Sequence, residues 1–274
     1  MKIGFLGMGN MAQAMCQGFI QSDAADSADI YAYAPHRDKL AANAERLGFT
    51  ACGSLRELAE RTDMLFICCK PYQIEDALTE IGSALRNKAL VSVASGWSLD
   101  RYMTLLSKIS SEQEGCEGLA SAVRVQAIMP NTPVMVGEGV FLIEADNTLN
   151  EDEREALISM LKPLGLVHEL PSSLMGIGGA VTGCFPAFAD LFMEAYADAA
   201  VKYGISRQDA YALVSQALLG SAMLQQKTGA HPGVLKDQVC SPAGTTIRGV
   251  QALEDCGLRS ACMASIDAIM DMKK

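Results

Sequence analysis

Three small residues near the start of the chain have the spacing of a phosphate-binding turn. In GFLGMGNMAQAM, Gly7, Gly9 and Ala12 lie between a predicted strand, residues 2–6, and a predicted helix, residues 10–21. The first glycine permits a tight turn, the second lets the main chain approach a pyrophosphate, and the small third residue lets the helix pack on the strand. N–H groups at a helix start attract phosphate. The pattern predicts a dinucleotide site, the alternative being a tight turn that holds no ligand.

The residues after the second predicted strand, 30–34, favour NADPH over NADH. NAD-selective turns usually place an acidic residue there to bond the ribose, whereas this chain continues with Pro35, His36 and Arg37. Arg37 supplies a fixed positive charge for a 2′-phosphate, and His36 supplies a second donor. Alternatively, Arg37 only begins the next helix in solvent. We predict NADPH as the cofactor, with NADH as the second choice.

Other candidate contacts follow the later predicted strands, where doubly wound folds place their ligands. Lys70 is either a proton donor or ribose ligand, or a solvated side chain at a strand end. Pro130 and Pro133 are expected to stiffen the turn around Asn131. The predicted cofactor contacts are Gly7, Gly9, Asn10, Met11, Ala12, Ala34, Pro35, His36, Arg37, Ser54, Cys69, Lys70, Pro71, Ala94, Ser95, Gly96 and Asn131.

A second anion-ready helix start lies in the segment SPAGTTI, residues 241–247. Small and hydroxyl residues immediately before a helical pattern leave N–H groups free for an anion. The N–H groups of Gly244, Thr245 and Thr246 suit a substrate carboxylate, while a threonine hydroxyl suits a neighbouring polar atom of the substrate. A plain helix N-cap is the alternative interpretation of this segment.

Short β-rich runs alternate with helical patterns in the first half of the chain, which is typical of a doubly wound α/β domain. Strands are predicted at residues 2–6, 30–34, 64–69, 90–94, 123–128 and 139–144, and helices at 10–21, 37–47, 73–85 and 99–108. From residue 150 helical spacing takes over, which predicts helices at 151–164, 183–203, 207–227, 242–255 and 259–272. The sequence thus predicts an N-terminal Rossmann-type domain, residues 1–149, and a C-terminal all-α domain for substrate binding and dimerisation, residues 150–274.

Charge and cysteine usage narrow the class of protein. Lys and Arg number 22 against 32 Asp and Glu, and the net charge of −10 repels nucleic acid. The nine cysteines are odd in number and lack a C-x-x-C spacing, which favours reduced thiols in the cytoplasm and predicts no metal site.

The uncharged stretch between Glu169 and Asp190 contains Pro171, Pro186 and several glycines. We predict that it is a buried helix of a soluble protein rather than a membrane span.

Taken together and in order, the motifs GFLGMGNMA, CKP, MPNTP, HPGVLKDQVCSPAGTTI and LEDCGLRSA resemble those of the pyrroline-5-carboxylate reductase family over nearly the whole chain. The resemblance implies an NADPH-binding Rossmann domain, helices that interlock in a dimer, and often a larger ring of dimers. It also implies hydride transfer from the nicotinamide to the C=N carbon of a five-membered cyclic imine that carries a carboxylate. By the family pattern Ser241, Gly244, Thr245 and Thr246 hold the substrate, and the Thr246 hydroxyl bonds the ring nitrogen, which makes Thr246 the candidate catalytic residue.

The chain departs from the family pattern near the expected substrate pocket. Cys184 and Phe185 replace a hydroxyl residue and a small one, Ala127 stands nearest to a usual Arg with Arg124 close by, and Ala243 replaces the first of two usual glycines. These changes make the pocket more apolar. The alternatives to proline formation are therefore an NADPH-dependent reductase of another cyclic imine or keto acid, and a non-catalytic regulator that binds NADPH.

Overall fold

A computed structural model describes residues 1–272, which fall into two compact units: the first is Met1–Gly183, and the second begins at Cys184. The first unit contains one eight-stranded sheet with the spatial order β3-β2-β1-β4-β5-β6-β7-β8. All neighbouring strands are parallel except the antiparallel pair β6 and β7. The strands are β1 Ile3–Leu6, β2 Ile30–Tyr33, β3 Thr50–Ala51, β4 Met64–Ile67, β5 Ala89–Ser92, β6 Arg124–Pro130, β7 Gly139–Glu144 and β8 Gly165–Leu170.

Helices accompany this sheet and bury both of its faces. They are α1 Asn10–Gln21, α2 Arg37–Leu47, α3 Leu55–Arg61, α4 Ile74–Ile81, α5 Leu99–Glu112, α6 Leu119–Ala122, α7 Glu151–Leu161 and α8 Ser172–Gly183. Because successive side chains of a strand point to opposite faces, Phe5 and Phe66 belong to one apolar cluster, whereas Leu6 and Leu65 belong to the other. The rings of Phe5 and Phe66 stack at 5.3 Å between centroids, which fixes β1 against β4.

Within residues 184–272, the second unit contains helices and no strand. It consists of α9 Phe185–Lys202, α10 Arg207–Thr228, α11 Pro232–Val239, α12 Thr245–Asp255 and α13 Leu258–Asp271. Large apolar side chains on α9 and α10 are exposed in the single chain, among them Leu191, Phe192, Leu213, Leu219 and Leu224. Exposed apolar faces of this extent mark surfaces that contact another protein or another copy of the chain.

The predicted fold class is confirmed, and α1, α2 and β7 have the predicted bounds. Differences arise where local sequence is a weak guide. The segment after residue 150 was expected to be wholly helical, yet β8 extends the sheet and pairs with β7 from Gly139 and Gly165 to Glu144 and Leu170. Because β8 binds α7 and α8 to the sheet, the compact units divide after Gly183 instead of between residues 149 and 150.

The uncharged stretch is not the buried helix that we expected. Ser172–Lys202 is long and apolar enough to cross a membrane by length and composition, but the structure breaks it into α8 and α9 at Cys184, with Pro186 in the first turn of α9. Phe185 is 58% exposed and Leu191 is 66% exposed. The apolar character of this stretch is thus not explained by burial within one chain.

Candidate active site

The turn between β1 and α1 depends on the absence of a side chain at Gly7. Gly7 has φ +97°, and a Cβ there would lie 2.7 Å from the main-chain nitrogen of Cys69 and 2.9 Å from the carbonyl carbon of Cys68. Its N–H donates to the carbonyl oxygen of Tyr33 at 2.8 Å. The end of β1 is therefore held between β2 and β4 at a distance that only glycine permits.

Gly9 leaves the start of α1 open. A Cβ at Gly9 would meet nothing within 4 Å apart from its two neighbours in the chain, and no side chain caps this helix. Within residues 1–272, no acceptor binds the N–H groups of Asn10, Met11 or Ala12. Unpaired N–H groups and the helix dipole make this position suitable for a phosphate. The open space in front of Gly9 fits the close approach of a pyrophosphate.

This helix start opens into a cleft of about 1130 Å³ at the carboxyl ends of β1, β2, β4 and β5. Doubly wound folds bind ligands at this edge, where the strand order reverses. The cleft includes many predicted residues: Gly7, Gly9, Asn10, Met11, Ala34, Pro35, His36, Cys69, Lys70, Pro71, Ala94 and Ser95. The Lys70 ammonium has no ion-pair or hydrogen-bond partner in the described part of the chain, so it is available to a ligand.

Arg37 has a different environment from the one predicted. Its guanidinium donates to the carbonyl oxygens of Cys52 at 2.8 Å and Gly53 at 2.6 Å, and its central carbon lies 4.7 Å from the centre of the Tyr33 ring. Arg37 therefore braces the turn after β3, and it does not line the cleft. Local sequence does not indicate this contact, because the accepting carbonyls are brought to Arg37 only by the pairing of β3 with β2.

The cationic side chain that lines the cleft beside His36 is Lys39, which sequence reasoning missed. Lys39 lies in the first turn of α2, three positions after His36. Helical spacing could have indicated it, since residues three apart share one face of a helix. Asn43 extends the same side of α2 along the cleft. The polar side chains that α2 and its N-cap contribute to the cleft are therefore those of His36, Lys39 and Asn43.

Four further predicted cofactor contacts do not line the cleft. Ala12 is fully buried under the turn, as a helix-packing residue should be. The Ser54 hydroxyl caps α3 by accepting the Glu57 N–H at 3.0 Å. Gly96 lies beyond the cleft at φ +78°. Asn131 is occupied by the fold: its side-chain oxygen accepts the Val140 N–H at 2.8 Å, and its amide donates to the carbonyl oxygen of Thr182 at 3.1 Å.

The adjacent cysteines that line the cleft are poor nucleophiles. Burial raises the pKa of the Cys69 thiol to about 11. Burial also raises the pKa of the Cys68 thiol far above its ordinary value. Since the thiolate is the reactive form, both side chains are neutral and unreactive near neutral pH. They serve as apolar wall, which agrees with their position at the end of a buried strand.

The helix start in the second unit differs in detail from the prediction. The helix α12 begins at Thr245, with Gly244 as its N-cap, and no side chain caps it. The Gly244 N–H donates to the carbonyl oxygen of Ser241 at 3.0 Å and closes a turn. Thr245 and Thr246 are exposed, and their N–H groups have no acceptor within residues 1–272. Two free N–H groups and two hydroxyls are thus presented at this helix start.

Ala243 gives this turn an unusual backbone. Its φ of +58° lies in the left-handed region that glycine adopts most easily. A side chain in this region costs about 1–2 kcal/mol. Because its neighbour Gly244 is held by Ser241, the turn keeps this conformation despite the alanine.

Arg124 does not take the place of the missing arginine near Ala127. Its guanidinium binds the Glu153 carboxylate at 2.7 and 2.6 Å and the carbonyl oxygen of Asn87 at 2.8 Å. It lies at the first residue of β6, paired with the first residue of β5, Ala89. The cleft lies at the opposite, carboxyl end of β5. Among residues 1–272, no group of three His, Cys, Asp or Glu side chains is placed to hold a metal ion.

Comparisons with known proteins agree with these features. Residues 172–274 match the family model described as pyrroline-5-carboxylate reductase dimerisation, and residues 2–96 match that described as NADP oxidoreductase coenzyme F420-dependent. The chain is 40% identical to pyrroline-5-carboxylate reductase of Treponema pallidum, covering 98% of this chain and 99% of the relative. It is 34% identical to that of Escherichia coli, covering 98% and 96%.

Solved structures show the same similarity. Plasmodium falciparum pyrroline carboxylate reductase with NADP bound superimposes with a TM-score of 0.84 at 28% identity, covering 99% of this chain and 96% of the other. The pyrroline-5-carboxylate reductase of Coxiella burnetii gives a TM-score of 0.83 at 28% identity, with the same coverage.

The contacts of Asn131 predict a large effect on stability. Asn131→Ala removes the partners of a buried N–H and of a carbonyl oxygen, so we expect the free energy of unfolding to fall by about 2–4 kcal/mol. Asn131→Asp retains the acceptor for Val140 but turns a carboxylate oxygen toward the Thr182 carbonyl oxygen in a buried site, so its loss should be at least as large. Urea denaturation of the three proteins measures this. Equal stability of wild type and Asn131→Ala would contradict the assignment.

Proposed function

Because the chain belongs to the pyrroline-5-carboxylate reductase family of oxidoreductases, we propose that it reduces 1-pyrroline-5-carboxylate to L-proline, the last step of proline biosynthesis, with NADPH as the hydride donor. The observation that carries the proposal is the open helix start at Gly9, set into a cleft at the strand-order reversal. The chain also retains the second uncapped helix start, at Gly244, that an anionic substrate requires.

The residues at the β1–α1 turn fit the diphosphate of NADPH. Gly9 leaves room for the phosphates, and the N–H groups of Asn10 and Met11 are free to donate to them. Lys70 and Ser95 follow β4 and β5 on the same cleft, where they contact the ribose and nicotinamide side of the molecule in our proposal. The main chain supplies most of this site, so it depends on backbone position more than on particular side chains.

Recognition of the 2′-phosphate is assigned to the end of β2. His36 and Lys39 line the cleft there, and their side chains have no partner within the described residues. The sequence alone pointed to Arg37, but its guanidinium already binds two carbonyl oxygens. In the revised assignment Lys39 supplies the charge, His36 supplies a donor, and Arg37 holds the turn against which the adenosine half rests.

The helix start at Gly244 binds the substrate carboxylate. The N–H groups of Thr245 and Thr246 donate to it, while the Gly244 N–H keeps its bond to Ser241 and shapes the turn. The Thr246 hydroxyl bonds the ring nitrogen of the imine and orients the ring. A protonated C=N group is electrophilic by itself, so positioning is the main contribution required from the protein. Thr246 acts by hydrogen bonding and not as a strong acid.

Another cyclic imine remains the second candidate substrate, and one observation favours it. Cys184 precedes α9 and Phe185 begins it, where relatives of this family commonly have smaller or hydroxyl residues, and Phe185 is 58% exposed in the single chain. A bulky apolar side chain at this point would make the pocket more apolar and favour a more apolar ring. Comparison of several cyclic imines and keto acids in one assay separates the two substrates.

The second unit is assigned to self-association. Its exposed apolar faces on α9 and α10 lie within the segment that matches the dimerisation model. We assign these helices to the contact between two copies of the chain. The resulting dimer is then the building block of any larger assembly. With nine free cysteines and a net charge of −10, the chain suits a reducing cytoplasm, and we expect neither a membrane nor a nucleic acid as its partner.

The role of Thr246 is tested by substitution. Thr246→Ala removes a hydrogen bond to a charged imine, so kcat/KM for pyrroline-5-carboxylate should fall about tenfold to a hundredfold. KM for NADPH should change little, and Thr246→Ser should recover much of the loss. The absorbance of NADPH, followed with each protein, measures this. If the wild-type protein binds NADPH but does not oxidise it when any of the imines is added, the reductase proposal is contradicted and a regulator is favoured.

The cofactor preference tests Lys39 against Arg37. Loss of one charged hydrogen bond from Lys39→Met should lower kcat/KM for NADPH about tenfold and leave NADH unaffected. Arg37→Met should instead weaken both cofactors together, because it releases the carbonyls of Cys52 and Gly53. Steady-state kinetics with each cofactor distinguish these patterns. If Arg37→Met alone lowered kcat/KM for NADPH and left that for NADH unchanged, recognition of the 2′-phosphate would have to be assigned to Arg37 instead.

A further inference from the structure

Two short loops form the wall of the cleft beyond β4 and β5. The first contains Lys70, Pro71 and Tyr72, and the second contains Ala94 and Ser95. Each is closed by a local bond: the Gln73 N–H donates to the carbonyl oxygen of Lys70 at 2.9 Å, and the Trp97 N–H donates to that of Ala94 at 3.3 Å. Tyr72 is 79% exposed and Ser95 is exposed as well, so these local bonds do not fix the separation between the two loops.

Trp97 joins these loops. It follows the second loop, does not line the cleft, and is only 4% exposed. Its indole N–H donates to the carbonyl oxygen of Pro71, in the first loop, with 3.2 Å between nitrogen and oxygen. The indole has a single donor, and burial makes its loss costly. The bond therefore ties the loop after β4 to the loop after β5.

The indole is itself held on both sides. The Tyr102 ring lies 4.9 Å from it, between centroids, and the Tyr102 hydroxyl donates to the Ser92 hydroxyl at 2.7 Å. The Ser92 oxygen also accepts the Ala94 N–H at 3.2 Å, so this contact reaches the second loop. On the other side the Arg101 guanidinium lies 4.1 Å from the indole centre and donates to the carbonyl oxygen of Gly96.

We propose that Trp97 is a positioning residue for the cofactor: its bond to Pro71 fixes the spacing of the two loops on which the nicotinamide half of NADPH rests. This inference depends on the proposed function of the cleft. Because the indole is anchored to the end of β5 through Tyr102 and Ser92, it transmits the position of the rigid sheet to the exposed loop at Pro71. Without the bond, the loop must be ordered when the cofactor binds, which weakens binding.

The test compares Trp97→Phe with wild type. Phenylalanine retains an aromatic ring between Tyr102 and Arg101 and removes only the N–H donor. We expect the Kd for NADP⁺, measured by calorimetry, and the KM for NADPH each to rise roughly threefold to tenfold, as for the loss of one neutral hydrogen bond. The KM for the imine and kcat should change less than about twofold, since the substrate contacts lie elsewhere.

A matched control is Thr62→Val, which removes a buried bond from the Thr62 hydroxyl to the Leu58 carbonyl at 2.7 Å. Thr62 precedes β4 and lies at the amino ends of the parallel strands, whereas the cleft lies at their carboxyl ends. Both variants should lower Tm, but only Trp97→Phe should weaken NADP⁺ binding. Equal Kd values for Trp97→Phe and wild type would overturn the inference while leaving the reductase proposal intact. Failure of wild type to bind NADP⁺ would overturn both.

A second measurement does not depend on any variant folding. Trp97 is the single tryptophan of the chain, so tryptophan fluorescence of wild type reports on this position alone. Saturation with NADP⁺ places the nicotinamide half of the cofactor on the two loops that the indole joins, so the intensity or the wavelength of the emission should change. An emission spectrum that stays constant while calorimetry shows NADP⁺ binding would overturn the inference.

Discussion

The contact of Gly7 with the main chain of Cys68 and Cys69 is the constraint on which the rest of the cleft depends. It sets β1 and β4 so close that a Cβ at Gly7 would be only 2.7 Å from the Cys69 nitrogen. The chain must then turn sharply and enter α1 at Gly9, an N-cap residue that has no side chain to bind the first N–H groups of the helix. The open helix start, the loop at Lys70 and the loop at Ser95 all take their positions from this junction of β1 with β4 and of β4 with β5.

A site built in this way uses main-chain groups for binding and has little need of reactive side chains. The cleft cysteines are half-buried and neutral, since desolvation raises the pKa of Cys69 to about 11. The second helix start also offers main-chain groups for binding, since the N–H groups of Thr245 and Thr246 are free. Reduction of a protonated imine requires orientation of two partners more than acid or base catalysis. The sparse chemistry of the chain and the proposed reaction are therefore consistent.

Features that depend on local sequence were predicted well. The bounds of α1 follow from Gly9 and the helical pattern after it, and α2 ends at Gly48 in the left-handed conformation. Features that depend on distant partners were not. Arg37 has the right charge for a phosphate, but its guanidinium binds the carbonyl oxygens of Cys52 and Gly53. The Asn131 side chain likewise binds Val140 and Thr182. No spacing rule within a single segment indicates such partners.

The strand β8 and the break at Cys184 were missed for related reasons. Pairing with β7 stabilises β8 although its own residues are only half buried. The apolar stretch around Cys184 predicted burial, but composition does not say whether the same chain or another copy supplies the cover. Both errors concern contacts between elements that are distant in sequence.

The affinity of Gly9→Ala for NADP⁺ tests the central claim most directly. A Cβ at Gly9 meets no other part of the chain within 4 Å, so the free energy of unfolding should change by less than about 1 kcal/mol. The same methyl group would occupy the space assigned to the phosphates, so calorimetry should show NADP⁺ binding weakened by about tenfold or more. Gly9→Ala that is stable and binds NADP⁺ as tightly as wild type would contradict the account.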